Sequence, residues 1–362
     1  MPVLDGRYRL DRRVGAGGMS EVWHAHDEVL DRPVAVKLIT LPYADPVAGR
    51  ATVDQARTEA RSAARLAHPN IASVHDFGLA PLPDGRPAPY IVMELVEGET
   101  LAAHLRRSGA LDWRIAVRVC AETGAALAAA HLGGVVHRDV KPANIVLTPT
   151  GVKVLDFGIA ALVGERDPVP GGDLVGTPAF VAPERLSGVG ASPATDVYAV
   201  GVLLYLCLAG RLPWPVRTEP DRPFSHVHRT PDPLPPVADL PADVAELCQR
   251  CLSADPADRP TSAAMALLLA EAVDAQVYVP VGVLPSPSRP PAPAPREPTS
   301  ADDPVLDEVT RAGAVEPFSP PPSRRRDPAG DAPGPGWPPP APAGSGSQAA
   351  GSRAARPGRH RA

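Results

Sequence analysis

The fold of this 362-residue chain is decided by two neighbouring stretches, Val136-His137-Arg138-Asp139-Val140-Lys141-Pro142-Ala143-Asn144-Ile145-Val146-Leu147 and Val152-Lys153-Val154-Leu155-Asp156-Phe157-Gly158. A short turn separates them. In both stretches polar residues are interleaved with apolar ones, so the apolar residues can anchor a loop while the polar side chains converge. The pattern therefore predicts a reactive loop held in place by its own hydrophobic neighbours.

Four polar residues of these stretches predict phosphoryl-transfer chemistry, which depends on positioning, charge neutralisation and bound metal. Asp139 can orient an acceptor hydroxyl and accept its proton. Asn144 and Asp156 offer hard oxygen ligands suited to Mg²⁺. Lys141 can neutralise the charge on the transferring phosphate.

A glycine cluster near the N-terminus, Gly15-Ala16-Gly17-Gly18-Met19-Ser20-Glu21-Val22, lies between two predicted strands. Glycines allow backbone N–H groups to approach phosphate oxygens closely. Alone, the cluster is more typical of an ordinary hairpin, and Ser20 stands where a G-x-G-x-x-G motif has its third glycine.

Lysine is rare in this chain: the 36 basic residues include only Lys37, Lys141 and Lys153. A lysine in an apolar strand usually points to solvent. In a chain that prefers arginine, however, Lys37 indicates a place that requires a compact point charge and not a planar guanidinium. Glu59, on the helix that follows, is a plausible partner for it.

Strand patterns dominate the first hundred residues and helical periodicity dominates afterwards, which predicts an α+β protein. Predicted strands are residues 8–14, 20–26, 33–39, 71–78 and 90–95. Predicted helices are residues 51–66, 115–132, 195–208, 241–252 and 261–275.

Taken together, these motifs resemble the eukaryotic-type (Hanks-type) serine/threonine protein kinases, and most closely their bacterial, especially actinobacterial, branch. The resemblance covers roughly residues 8–272, and in this branch a glycine loop without the third glycine is common. It implies a bilobal kinase domain over residues 1–275, with a small antiparallel β lobe with one main helix (about 1–95) and a large mainly helical lobe (about 97–275). It also implies ATP and Mg²⁺, with Mn²⁺ as an alternative metal.

The resemblance further assigns roles to individual residues. Lys37, paired with Glu59, would contact the α- and β-phosphates, and Asp139 and Lys141 would act in catalysis in the serine/threonine form of the loop. Asn144 and Asp156 would bind the metal. Met93 would be the gatekeeper, and Glu94 and Val96 would form the hinge. The full set of residues expected to bind nucleotide is Val14, Gly15, Ala16, Gly17, Gly18, Met19, Ser20, Val22, Ala35, Lys37, Met93, Glu94, Val96 and Val146.

A later segment, from Gly176-Thr177-Pro178 to Ala182-Pro183-Glu184, matches the part of the family that docks protein substrates. Here the resemblance implies a Glu184–Arg259 ion pair and a brace on the catalytic loop from Asp196. Two rivals are a pseudokinase scaffold, disfavoured because the four key polar residues are present, and a small-molecule kinase, disfavoured by this intact segment.

The loop before that segment departs from the family's habit, because residues 159–176 contain no Ser, Thr or Tyr. Many relatives are activated by phosphorylation there. We hypothesise that an acidic residue, Asp173 above all, pairs with Arg138 as a phosphate otherwise would. The bland alternative is that the loop's acidic residues are simply solvated.

The remaining residues, 276–362, form a Pro/Ala/Arg-rich segment with about 20 of the 48 prolines, a composition typical of disordered tails. We expect it to dock a partner. The net charge of −5 gives no indication of nucleic-acid binding. With no signal peptide, four cysteines and no apolar stretch longer than about 12 residues, a cytoplasmic protein without a membrane span is expected. Cys248 and Cys251 are expected to be core residues, and a homodimer is left open.

Overall fold

The computed structural model describes residues 2–17, 20–39, 46–81, 87–157, 178–214 and 230–280. Within these residues the chain forms a small, mainly β lobe and a larger, mainly helical lobe. The predicted α+β class and bilobal kinase architecture are thereby confirmed.

The small lobe is built on an antiparallel sheet with one helix packed on it. Its strands are β1 (Val3–Leu4), β2 (Tyr8–Gly17), β3 (Ser20–Asp27), β4 (Arg32–Ile39), β5 (Val74–Pro81) and β6 (Pro87–Met93), and its helix is α1 (Pro46–Ala63). The strand order is β1-β2-β3-β4-β6-β5, and α1 packs near β5 and β6.

Strand β4 is central to this sheet, since it pairs with β3 on one side and β6 on the other. Its β-branched residues Val34, Val36 and Ile39 are almost fully buried, as expected for a strand covered on both faces. Lys37 lies on the same strand and is only 8 % exposed. The charged residue therefore does not point to solvent, and it needs a partner inside the protein.

The large lobe combines a short sheet with helices. The strands are β7 (Glu99–Thr100), β8 (Ile145–Thr148) and β9 (Gly151–Val154), and the helices are α2 (Leu101–Ser108), α3 (Trp113–Leu132), α4 (Pro183–Leu186), α5 (Pro193–Ala209), α6 (Ala242–Cys251) and α7 (Ser262–Ala272). Helix α3 packs against both α5 and α7. The core of this lobe lies between these three helices and extends to β8 and β9.

Local sequence explains where the two long core helices begin and end. The Asp112 side chain accepts a hydrogen bond from the backbone N–H of Arg114 and caps α3. Ser192 and Thr195 form a reciprocal capping box at the start of α5, and Gly210 ends that helix with a φ of 69°. Both helices start within three residues of their predicted positions.

The four cysteines are buried and unpaired in the large lobe. Burial raises the pKa of the Cys251 thiol to about 12, so this side chain stays a neutral thiol near neutral pH. In the part of the chain that the structure describes, no cluster of three or more His, Cys, Asp or Glu residues could hold a metal ion. The prediction that Cys248 and Cys251 are core residues is confirmed.

Among the described residues, one helix, α3, is long and apolar enough to cross a membrane by length and composition. Of its most apolar 18-residue window, 72 % is buried inside the large lobe. Its apolar surface is therefore already covered by the other helices, as in the central helix of a globular domain.

The ordered chain continues beyond the predicted end of the domain. Residues 276–280, predicted from their composition to be part of the tail, are described in the structure. Val277 packs on the large-lobe core, and His68, in the loop after α1, hydrogen-bonds to the Tyr278 carbonyl at 2.7 Å. These contacts hold the chain against the large lobe beyond the predicted boundary at residue 275, although the composition of the segment resembles that of the tail.

Candidate active site

The loop from His137 to Asn144 is held at its start by Asp196, a buried residue near the start of α5. The Asp196 carboxylate accepts hydrogen bonds from the backbone N–H groups of His137 at 2.8 Å and Arg138 at 2.9 Å. His131 of α3 contacts the same carboxylate at 2.9 Å. Arg138 has a φ of 71°, so these contacts hold a backbone conformation that is unfavourable for a residue other than glycine. The predicted brace on the catalytic loop is confirmed.

His137 connects this loop to the turn that carries Asp156. Its Nδ1 accepts the backbone N–H of Asp139 at 3.2 Å, so the proton lies on Nε2, which donates to the Leu155 carbonyl at 2.8 Å. The ring also packs edge-on against Phe157, with centroids 4.6 Å apart. The two halves of the deciding sequence are therefore joined through one buried imidazole.

Three of the predicted catalytic and metal-binding side chains meet on the loop. The Lys141 ammonium lies 2.7 Å from Oδ2 of Asp139. The Asn144 amide donates to the Asp139 carbonyl at 2.8 Å and to Asp139 Oδ2 at 2.9 Å. Because the amide nitrogen faces Asp139, the amide oxygen of Asn144 is directed away from it. Asp139 is thus held by two donors, and its neighbours are oriented at the same time.

Lys37 reaches the same region from the small lobe. Its ammonium lies 2.8 Å from Oδ2 of Asp156, with the two side chains 10 % and 24 % exposed. Asp156 has a φ of 62°, a left-handed backbone conformation that is uncommon for residues other than glycine, in the turn after β9. A positive side chain from β4 and the predicted metal ligand from the other lobe are therefore in direct contact.

The pairing of Lys37 with Glu59 stays a prediction, since the ion pair described for Lys37 is the one with Asp156. Glu59 lies on α1, is partly buried and makes interactions of its own. The sequence placed Glu59 on the correct helix. It did not indicate that the Asp156 carboxylate would contact the lysine, because that depends on how the two lobes pack.

Strand registers bring together the predicted nucleotide-binding residues of the small lobe. Val22 on β3 is opposite Lys37 on β4, and Ala35 is opposite Met93 at the end of β6. Gly17 and Ser20 are opposite each other where β2 and β3 meet. Val14, Gly15 and Ala16 precede them on β2, and Gly18 and Met19 lie outside the described residues.

The large lobe supplies the remaining predicted contacts. Val146 on β8 is buried, and Glu94 and Val96 follow β6 in the connection between the lobes. The substrate-loop residues Thr177 and Asp173 lie outside the described residues, as does the whole segment from residue 158 to 177. The hypothesised pairing of Asp173 with Arg138 therefore stays a prediction.

The donor set fits a divalent cation and a nucleotide. Asn144 and Asp156 present amide and carboxylate oxygens, which suit Mg²⁺, and Lys37 and Lys141 add positive charge beside them. Two protein ligands are few for a metal site. Mg²⁺ commonly takes its other ligands from water and from the phosphates of a bound nucleotide, so two suffice here.

Comparison with known proteins identifies the family. Residues 8–272 match the family described as the protein kinase domain. The chain belongs to this family. Members of the family use ATP and a divalent metal.

Three relatives of this kinase domain come from different bacteria. The serine/threonine-protein kinase PknA of Mycobacterium tuberculosis is 45 % identical over 260 residues, which cover 71 % of this chain and 59 % of PknA. Kinase pkn3 of Myxococcus xanthus is 38 % identical over 74 % of this chain and 50 % of its own length. PksC of Streptomyces coelicolor is 38 % identical over 73 % and 48 %. The chain thus spans about half to three-fifths of the length of these relatives.

In this kinase domain the predicted Glu184–Arg259 pair is confirmed as a buried, bidentate ion pair. The two guanidinium nitrogens donate to the two carboxylate oxygens, each at 2.8 Å. Burial, the largest single influence, raises the pKa of the Glu184 carboxyl, but the hydrogen bonds and positive charge of Arg259, together with hydrogen bonds from the backbone and Thr195, outweigh it, and the pKa lies below its usual value. The pair fastens the segment that carries Glu184 to the loop before α7.

Sequence reasoning missed two partners in this region. Lys153 had no assigned role, yet its ammonium lies 2.8 Å from a carboxylate oxygen of Glu94. His131, which holds Asp196, also contacts Ser262 Oγ at 2.8 Å. The scarcity of lysine could have singled out Lys153, whereas nothing in the sequence around His131 distinguishes it from an ordinary helix residue.

Proposed function

We propose that this chain is a serine/threonine protein kinase that transfers the γ-phosphate of ATP to hydroxyl groups of proteins. The observation that carries the proposal is the convergence of Asp139, Lys141 and Asn144 within 2.7–2.9 Å, beside the Lys37–Asp156 pair. Such a set provides a proton acceptor, metal ligands and compensating positive charge, which are the parts that phosphoryl transfer requires. The names of its bacterial relatives support the same reaction.

In the proposed reaction Asp139 orients the acceptor hydroxyl and accepts its proton. The hydroxyl oxygen forms a bond to the γ-phosphorus, and the bond from that phosphorus to the β–γ bridging oxygen breaks, so ADP leaves with the electron pair. Lys141, which already contacts Asp139, stabilises negative charge on the transferring group. Asn144 and Asp156 would hold Mg²⁺, which supplies further charge neutralisation when bound.

Nucleotide would lie between the lobes in this proposal. The apolar side chains of Val22, Ala35 and Val146 would cover the adenine, and the backbone of Glu94 and Val96 would hydrogen-bond to its edge. Lys37 would contact the α- and β-phosphates, with Glu59 as the partner that positions it once its pairing with Asp156 is exchanged.

We also propose a cytoplasmic location and a docking role for the tail. Four buried free thiols fit a reducing compartment, where ATP is also abundant. The proline-rich composition of residues 281–362 is typical of segments that bind partner domains. A homodimer remains a further hypothesis.

The proposal is tested by incubating the protein with γ-labelled ATP, Mg²⁺ and a generic acceptor protein, followed by analysis of the labelled amino acids. We expect label on Ser and Thr, and a loss of about 100-fold or more in Lys37→Met. The control Arg211→Met, which removes an exposed ion pair with Asp232 in the large lobe, should transfer normally. No transfer by folded wild-type protein, or label only on Tyr, would overturn the proposal.

A further inference from the structure

Each lysine of the chain pairs with a carboxylate: Lys37 with Asp156, Lys141 with Asp139, and Lys153 with Glu94. The first two pairs join residues of the proposed catalytic machinery. The third pair joins β9 to the connection between the lobes, and neither the proposed reaction nor the sequence motifs assign it a role.

The Lys153 ammonium contacts three oxygens. It lies 2.8 and 3.0 Å from the two carboxylate oxygens of Glu94 and 3.4 Å from the carbonyl oxygen of Ile71. An ammonium has three donors, so all of them can be used at this site. The side chains of Lys153 and Glu94 are 21 % and 30 % exposed, so water covers only part of the pair.

Glu94 is held at both its backbone and its side chain by the same neighbour. Its backbone N–H donates to the Ser73 carbonyl at 2.8 Å, and one of its carboxylate oxygens accepts the Ser73 N–H at 3.1 Å. That oxygen also contacts Lys153. The position of the Glu94 peptide is therefore coupled to the position of its carboxylate, and so to the lysine.

Lys153 is itself on a strand, β9, that adjoins two parts of the site. It is directly opposite Val146 in the pairing of β9 with β8, so the two side chains lie on the same face of that sheet. Strand β9 ends two residues before Asp156 and hydrogen-bonds to the segment before β5, with Val154 N–H donating to the Asn70 carbonyl at 2.8 Å. Lys153 thus lies on the strand that leads to Asp156 and is paired with Val146, while its side chain contacts the connection between the lobes.

We propose that Lys153 is a positioning residue for adenine binding: through Glu94 it sets the peptide groups that would hydrogen-bond to the nucleotide base. This inference rests on the proposed function, because it requires adenine to bind beside Glu94. A partly exposed ion pair is screened by water and contributes less to global stability than a buried one. Its loss should therefore alter adenine affinity much more than it alters the melting temperature.

The test compares the binding of adenosine and of ATP to the full chain by calorimetry, since adenosine lacks phosphates and reports on the base site alone. In Lys153→Met we expect both affinities to fall by the same factor, about fivefold, as for one weakened hydrogen bond. Lys153→Arg, which keeps the charge, should recover most of the loss. KM for ATP should rise by more than kcat falls.

Two comparison variants make the result specific. Lys37→Met should weaken ATP binding much more than adenosine binding, because Lys37 faces the phosphates in the proposed complex. Arg211→Met, which breaks the exposed Arg211–Asp232 contact of 3.3 Å, should leave both affinities as in wild type. If Lys153→Met does not fold, Glu94→Gln removes the carboxylate charge at the other end of the pair and carries the same expectations.

Unchanged adenosine affinity in Lys153→Met would overturn the inference, whether or not ATP binding changes. A loss of adenosine affinity in Lys153→Met no larger than that in Arg211→Met would also overturn the inference. If wild-type protein binds neither adenosine nor ATP, the proposed function fails instead, so the two failures are distinguishable.

Discussion

Replacing Arg259 by Met should destabilise the large lobe strongly, because it leaves a buried carboxylate without its cation. The Arg259 side chain is fully buried and that of Glu184 is 8 % exposed. The guanidinium also donates to the carbonyls of Ser253, Ala194 and Ala254 at 2.8–3.2 Å. After the substitution, Glu184 retains the hydrogen bond that the Thr195 hydroxyl donates at 3.1 Å, which does not replace the lost positive charge.

The magnitude follows from this loss of compensation. Removing one partner of a buried ion pair typically costs about 3–5 kcal/mol, whereas breaking an exposed pair costs roughly 0–1 kcal/mol. We therefore expect the free energy of unfolding to fall by about 4 kcal/mol in Arg259→Met and by less than about 1 kcal/mol in the control Arg211→Met.

Urea denaturation followed by tryptophan fluorescence measures both changes, since Trp113 and Trp214 are buried in the large lobe. The pH dependence gives a second check. In wild type the depressed pKa of Glu184 contributes stability that is lost as the pH falls. In Arg259→Met the uncompensated carboxyl should have a raised pKa, and protonation should relieve the defect. The difference between the two proteins should therefore shrink from pH 7.5 to pH 5.5.

A loss below about 1 kcal/mol in Arg259→Met would refute this reasoning, because it would mean that the pair behaves like a solvated one. A defect that grows on acidification would refute the assignment of its cause to Glu184. The double variant Glu184→Gln with Arg259→Met should be more stable than Arg259→Met alone, since it removes the charge that was left uncompensated.

Three further predictions concern other parts of the chain. Gly201→Ala should destabilise the domain by about 1–3 kcal/mol in urea denaturation, because the new Cβ would lie 2.7 Å from the Cβ of Cys251. This clash should outweigh the better helix propensity of alanine, and a variant as stable as wild type would contradict the prediction. Burial lowers the pKa of His68 from 6.5, so the unfolded state binds more protons than the folded state as the pH falls. The free energy of unfolding should therefore decrease from pH 7.5 to 5.5, by at most about 1.4 kcal/mol per pH unit. His68→Asn should flatten this slope, and an unchanged slope would exclude His68 as its cause. Deleting residues 281–362 should leave the rate of phosphate transfer within about twofold of wild type, because the described site residues all precede residue 281. Capture of a partner by the tail should be lost. A large loss of the transfer rate would show that the tail takes part in catalysis.

The meeting of the polar side chains on the loop could be predicted from the sequence because the residues concerned are close in the chain. Asp139, Lys141 and Asn144 lie within six residues, and their polar pattern is interleaved with the apolar residues that hold the loop. The Glu184–Arg259 and Asp196 contacts join distant residues and were predicted from the family resemblance, not from local pattern.

What could not be predicted depends on how separate segments pack. Lys153 and Glu94 are 59 residues apart, and neither has a local pattern that identifies its partner. The sequence offered Glu59 as a partner for Lys37 and did not indicate Asp156, which the packing of the lobes brings within 2.8 Å. The strand predicted from residue 71 begins instead at Val74, since Ile71 forms an isolated bridge to Val154 in the large lobe.

The most direct test of the kinase assignment is to measure ATP affinity and phosphate transfer on the same preparation of Asp139→Asn. The substitution keeps the size of the side chain and removes its ability to accept the hydroxyl proton. We expect transfer to fall by roughly 100-fold or more while ATP affinity stays within about threefold of wild type. Retention of more than about a tenth of the wild-type transfer rate would contradict the role of Asp139 as proton acceptor.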